Sequence, residues 1–145
     1  MKIKRKYVKQ YSDLPGYEKG LQGYSSPKDK TIYLVKDKSP KSTEYHEEYH
    51  LIKRHPVKPR NADEFVRQEL LANLYAYKKC GQPKRILLRL WGISRELVNL
   101  YGKTYKQTLP IIKRVVRSEK GIPTGWLKDL DIFSEEINSS KYSKY

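Results

Sequence analysis

Residues 46 to 50 read His-Glu-Glu-Tyr-His. On a helix, positions four apart lie one turn above each other on the same face, so the imidazoles of His46 and His50 can converge on one divalent ion. Glu47 is turned about 100 degrees from His46 around that helix. It stands beside such an ion and not on it, where a carboxylate can take a proton from an activated water. This H-E-x-x-H spacing is a pattern of zinc-dependent hydrolysis. The plainer account is two surface histidines on a basic, Tyr-rich helix at accidental spacing, but the chain has only three histidines in all. A hydrolytic zinc keeps three protein ligands and an open position for water, so the pattern calls for one more donor.

The next helical stretch offers one. Glu69 heads the run Glu69-Leu70-Leu71-Ala72-Asn73-Leu74-Tyr75-Ala76, with Asn73 one turn further along the same face. In that arrangement Glu69 reaches the ion, and Asn73 holds the outward nitrogen of a ligating histidine and so fixes its tautomer. Ala72 and Ala76 are small enough to let two helices approach. Taken without the histidines, the same run reads as an ordinary amphipathic helix with Glu69 on its polar edge.

The pair His46-Glu47-x-x-His50 and Glu69-x-x-Ala72-Asn73-x-Tyr75-Ala76 resembles the active-site core of ImmA/IrrE-type zinc metallopeptidases. Their second helix carries Glu, Ala, Asn or Asp, an aromatic residue and Ala at these spacings. The resemblance covers roughly residues 20 to 80. It implies one zinc per chain held by His46, His50 and Glu69, with Glu47 activating a zinc-bound water and Asn73 supporting a ligand. The activity it implies is cleavage of a regulatory, repressor-like protein, such as one encoded on a mobile element. The chain departs from the family at Tyr49, where Gly is common, and at Tyr77-Lys78-Lys79-Cys80, where the family's helix often continues apolar toward a proline. Oxyanion stabilisation falls to one of Tyr45, Tyr49, Tyr75 and Tyr77, among which the sequence does not choose.

Two reactive side chains stay outside this set. His55 lies five residues beyond His50 and so points elsewhere around the helix, as a surface or loop histidine. Cys80, the single cysteine, reads as a small buried hydrophobe, and it cannot make an internal disulfide.

These residues need elements to hold them. The runs Lys6-Tyr7-Val8 and Thr31-Ile32-Tyr33-Leu34-Val35, set between Gly, Pro and Asp turns, predict β-structure over residues 1–36, with 23–31 as a hairpin connection. Ser39 and Pro40 predict a helix start with the Ser39 hydroxyl as cap, and Pro56 ends that helix near His55. Asn61, acting with Glu64, caps a second helix that runs to about Lys79 before Gly81. Helical pieces follow at Pro83 to Trp91, Ser94 to Tyr101, Thr108 to Lys120 and Thr124 to Leu130. The expected class is therefore α+β. A small N-terminal antiparallel sheet (1–36) packs on a zincin-like pair of active-site helices (39–80), a helical segment (83–134) completes a single domain, and residues 135–145 form a polar, frayed tail.

The chain has 145 residues and a formal net charge of +15. That charge attracts polyanions such as nucleic acid or an acidic protein surface, although the basic residues are scattered and suit a solvated surface equally well. The stretch Ile86 to Val98 allows a helix-turn-helix with Gly92 in the turn and Arg95, Asn99 and Lys103 as contacts to DNA. Two short helices packed over the metal site would read identically. Lys113, Arg114, Arg117 and Lys120 add a second basic face. The alternative function is thus a basic nucleic-acid-binding protein whose zinc site is structural or vestigial. No apolar run suits a bilayer crossing and the N-terminus lacks a signal-peptide core, so the expectation is a cytoplasmic protein with a protein substrate, DNA as a possible partner and no membrane partner.

Overall fold

The computed structural model describes residues 2–17 and 20–139. Three strands, β1 (Lys4–Val8), β2 (Gly23–Ser26) and β3 (Thr31–Val35), precede five helices: α1 (Lys41–Ile52), α2 (Ala62–Cys80), α3 (Leu87–Tyr101), α4 (Tyr105–Ser118) and α5 (Thr124–Ile137). The class is α+β, as expected. The chain forms two compact units, Met1–Val57 with Leu71–Pro83 and Lys58–Leu70 with Lys84–Tyr145. Helix α2 runs through both without a break.

In the first unit the sheet is mixed and not wholly antiparallel, with the order β1-β3-β2. The chain leaves β1 through a 3-10 turn at Tyr11–Asp13 and comes back as β2 on the far edge. A turn tied by Ser26 and Asp29 then reverses it into β3. Having been laid antiparallel to β2, β3 fills the middle and is left parallel to β1, Lys4 facing Thr31 and Val8 facing Val35. Strand alternation shows which side of a strand is buried but not which neighbour it takes, so this order was not readable. Ile32, Leu34 and Leu51 form a buried cluster, with Ile3 packed against them.

Contacts made by Ser39, Gly23 and Arg5 tie α1 and its lead-in to the sheet. Ser39 does not cap α1; its hydroxyl accepts from Val35 N at 2.8 Å and donates to Gln22 O at 2.7 Å, and Pro40 takes the cap position. Gly23 gives α1 room, since a Cβ there would stand 2.7 Å from Thr43 Cγ2. Arg5, from β1, reaches Glu44 at 3.1 Å and Glu48 at 3.3 Å on successive turns of α1.

The end of α1 also departs from expectation. It stops at Ile52, three residues before His55. Arg54 adopts a left-handed φ of 56°, its N–H donates to Leu51 O at 3.1 Å, and the N–H of His55 donates to His50 O at 2.9 Å. This is a Schellman closure with arginine where glycine usually sits. It turns the chain back across the last helical turn.

Helix α2 begins as its sequence indicates, the Asn61 side-chain oxygen accepting from Glu64 N at 2.9 Å. In the second unit, helix α3 is continuous through Gly92, so the turn required by a helix-turn-helix at that position is not made. Leu90, Ile93 and Leu97 are buried at helical spacing on both sides of the glycine. Their burial, at about 1.5–3 kcal/mol each, outweighs the roughly 1 kcal/mol that an interior glycine costs. Helix α4 starts at Tyr105, three residues earlier than expected, because Thr104 and Gln107 form a capping box.

Asp129 is fully buried on α5, where its carboxylate accepts from Arg85 and from Ile86 N at 2.8 Å. Trp91 stacks edge-on against Phe133 at 5.0 Å and donates to Glu136 at 2.6 Å. The tail expected from 135 does not begin there, since α5 continues to the buried Ile137. Residues 140–145 lie outside the described residues. No helix is long and apolar enough to cross a membrane among the described residues.

Candidate metal centre

Helix α1 contributes little to the core, burying only Ser42, Thr43 and Leu51, while residues 44 to 50 are all half-buried. Such a helix holds polar side chains at a surface that other elements only partly cover. Its four-residue spacing brings the His46 and His50 rings to 4.7 Å between centroids, with their Nε2 atoms 3.1 Å apart. Two donors each about 2.0 Å from a tetrahedral ion stand about 3.3 Å apart, so the pair already has nearly the separation of two zinc ligands.

Asn73 is 2 % exposed on α2, and its Oδ1 lies 2.9 Å from His46 Nδ1. A carbonyl oxygen only accepts, so this contact puts a His46 proton on Nδ1 and leaves Nε2 as the atom to face an ion. Glu69 precedes Asn73 by one turn of the same unbroken helix, and Ala72 and Ala76 on that face are fully buried. One ligand atom from each of His46, His50 and Glu69 can be chosen so that all three lie within 4.8 Å of one another. Two imidazoles and a carboxylate are a donor set of hydrolytic zinc sites, and they fit that ion in type and in spacing.

Glu47 is half-buried on the turn that carries His46. Of the three glutamates on α1, Glu44 and Glu48 are tied to Arg5 and Glu47 is not. The tyrosines expected nearby divide into different roles. Tyr75 donates its hydroxyl to Glu48 Oε2 at 3.1 Å, and its ring lies against Tyr45 at 6.4 Å and Tyr49 at 5.3 Å. Burial, then the neighbouring Glu48, pushes the Tyr75 phenol above its usual value. The phenol therefore stays protonated while its hydrogen bond is taken up by the glutamate. Tyr77 is half-buried and, two positions beyond Tyr75, turns to the other side of α2.

His55 does not point away from the site. The backbone closure after Ile52 brings its Nδ1 to 3.0 Å from His50 Nδ1, and its ring packs on Tyr49 at 5.5 Å. All three histidines of the chain thus lie in one row with Asn73 at its end. Helical spacing missed His55 because the helix had already ended, and no glycine marked the turn. Cys80 is half-buried and donates its thiol to Ala76 O at 3.2 Å, a local helix contact.

The residues expected to meet DNA differ in exposure. Arg95 is half-buried, with an Nε atom that is buried and unpaired, Asn99 is exposed and Lys103 is half-buried beyond the end of α3. Arg114 pairs with Asp63 at 2.8 Å, while Arg117 and Lys120 are exposed.

No family model matches the chain, and no curated protein or solved structure matches it. Nothing in these comparisons identifies the ImmA/IrrE family.

Proposed function

We propose that the chain is a zinc-dependent endopeptidase of the ImmA/IrrE type, acting in the cytoplasm on a regulatory, repressor-like protein. The observation that carries this reading is the meeting of His46, His50 and Glu69 donor atoms within 4.8 Å, with Asn73 orienting one of the rings. Bound there, zinc supplies a Lewis acid for a peptide carbonyl and lowers the pKa of water. His46 and His50 give neutral imidazole lone pairs, and Glu69 gives the negative charge that helps retain a divalent cation. One Glu47 carboxylate oxygen takes the proton of the attacking water and passes it to the departing amine.

Metal analysis and peptide hydrolysis by the wild type, Glu47→Gln and His50→Ala test the assignment. Glu47→Gln should keep about one zinc per chain and lose hydrolysis, whereas His50→Ala should lose the zinc and some thermal stability. Equal zinc content in all three proteins would refute the roles given to these residues.

A second reading, a nucleic-acid-binding protein with a structural zinc, is favoured by the net charge of +15. The two readings are compatible if the protein substrate is itself bound to DNA.

A further inference from the structure

His50 Nδ1 and His55 Nδ1 lie 3.0 Å apart, and either ring could carry the shared proton. Ligation decides between them. An imidazole that gives its Nε2 lone pair to an ion and stays neutral has its proton on Nδ1. His50 is then the donor in this contact and His55 Nδ1 the acceptor.

We infer that His55 is the positioning residue of His50, accepting its Nδ1 proton as Asn73 accepts that of His46; this rests on the zinc reading above. The backbone is built to bring it there. Arg54 takes a left-handed φ of 56°, and the His55 N–H closes on His50 O at 2.9 Å, so the residue that caps the helix carbonyl also meets the side chain of the same residue. Tyr49 backs the His55 ring at 5.5 Å, and the ring lies 5.2 Å from that of His50. The two ligating rings are thereby fixed from opposite ends of the row, one by an amide and one by an imidazole. Such outer partners set ring orientation and ligand basicity, and their loss weakens metal binding by roughly 10–100-fold.

The test is a zinc titration of the full-length protein against a competing chelator, for wild type, His55→Ala, His55→Asn and His50→Ala, with the unfolding midpoint of each metal-free protein measured alongside. Asn places its Oδ1 close to where His55 holds Nδ1, so it keeps the acceptor while removing the ring. His55→Ala should bind zinc about 10–100-fold more weakly than wild type, and His55→Asn should recover most of that loss, with similar metal-free midpoints for the two variants.

Wild-type affinity in His55→Ala, with binding still abolished in His50→Ala, overturns the inference and leaves the zinc site standing. Equal weakening in His55→Ala and His55→Asn overturns it as well, because the ring's bulk would then matter and not its acceptor. If His50→Ala binds as tightly as wild type, the zinc reading fails and this inference falls with it.

Discussion

Asn73 acts through a single atom. Its side chain is buried and its Oδ1 faces His46 Nδ1 at 2.9 Å, so replacing it with alanine removes the acceptor without changing the proposed ligand set. Asn73→Ala should lower zinc affinity by about 10–100-fold while leaving one site per chain, which competitive chelator titration measures. Retained affinity would show that His46 is oriented by something else. At this scale the sequence was most legible where the spacing is local. His46 and His50, and likewise Glu69 and Asn73, share helical faces by arithmetic alone, and their donor atoms do come together. The contacts of His55 and Arg5 were illegible for a different reason. One depends on an arginine adopting a backbone conformation that favours glycine, and the other on a strand about forty residues from the helix it holds.

Helix boundaries depend on competition between local signals and burial, and α3 shows burial winning. Gly92 reads as a turn, yet it lies inside one helix and a Cβ added there would meet nothing within 4 Å. Gly92→Ala should therefore stabilise the protein by about 1 kcal/mol, raising the thermal midpoint by roughly 2–4 °C. A lower midpoint would revive a turn at that position. The start of α3 depends on Asp129. Burial alone would push this carboxyl up, but hydrogen bonds from Arg85 and Ile86 N–H outweigh it and hold the group below the ordinary value of 3.8. The folded protein therefore keeps Asp129 ionised at pH values where the unfolded chain has already taken up a proton. Its contribution is fully present above the ordinary value and is lost as pH falls through the folded one. Asp129→Asn should cost about 1–2 kcal/mol near neutrality, reduced by solvent screening because the Arg85 side chain is 60 % exposed. The gap from wild type in urea-unfolding free energy should shrink as pH is taken from 6 toward 2. A gap independent of pH would mean that the Asp129 charge contributes nothing.

For the molecule as a whole the dominant quantity is charge. Lys and Arg number 31 against 16 acidic residues, and several of those acids are already held in internal ion pairs by Arg5, Arg85, Arg114 and Arg67. Most of the remaining lysines face solvent, so the long-range field is positive. This excess was legible from composition, whereas its arrangement was not, because periodicity cannot place distant segments side by side. Counterion release makes a definite forecast. Duplex DNA should bind at 50 mM salt and lose affinity about 10³-fold or more by 200 mM, a slope that an electrophoretic shift series measures. Glu47→Gln should give the same slope, since it removes one negative charge at the proposed chemical site and touches none of the basic surface. If binding is absent at low salt, the excess charge serves solubility or an acidic protein surface, and the nucleic-acid reading is lost. If it is present with the expected slope while zinc and hydrolysis depend on His50 and Glu47, the charge brings the peptidase to a substrate that sits on DNA.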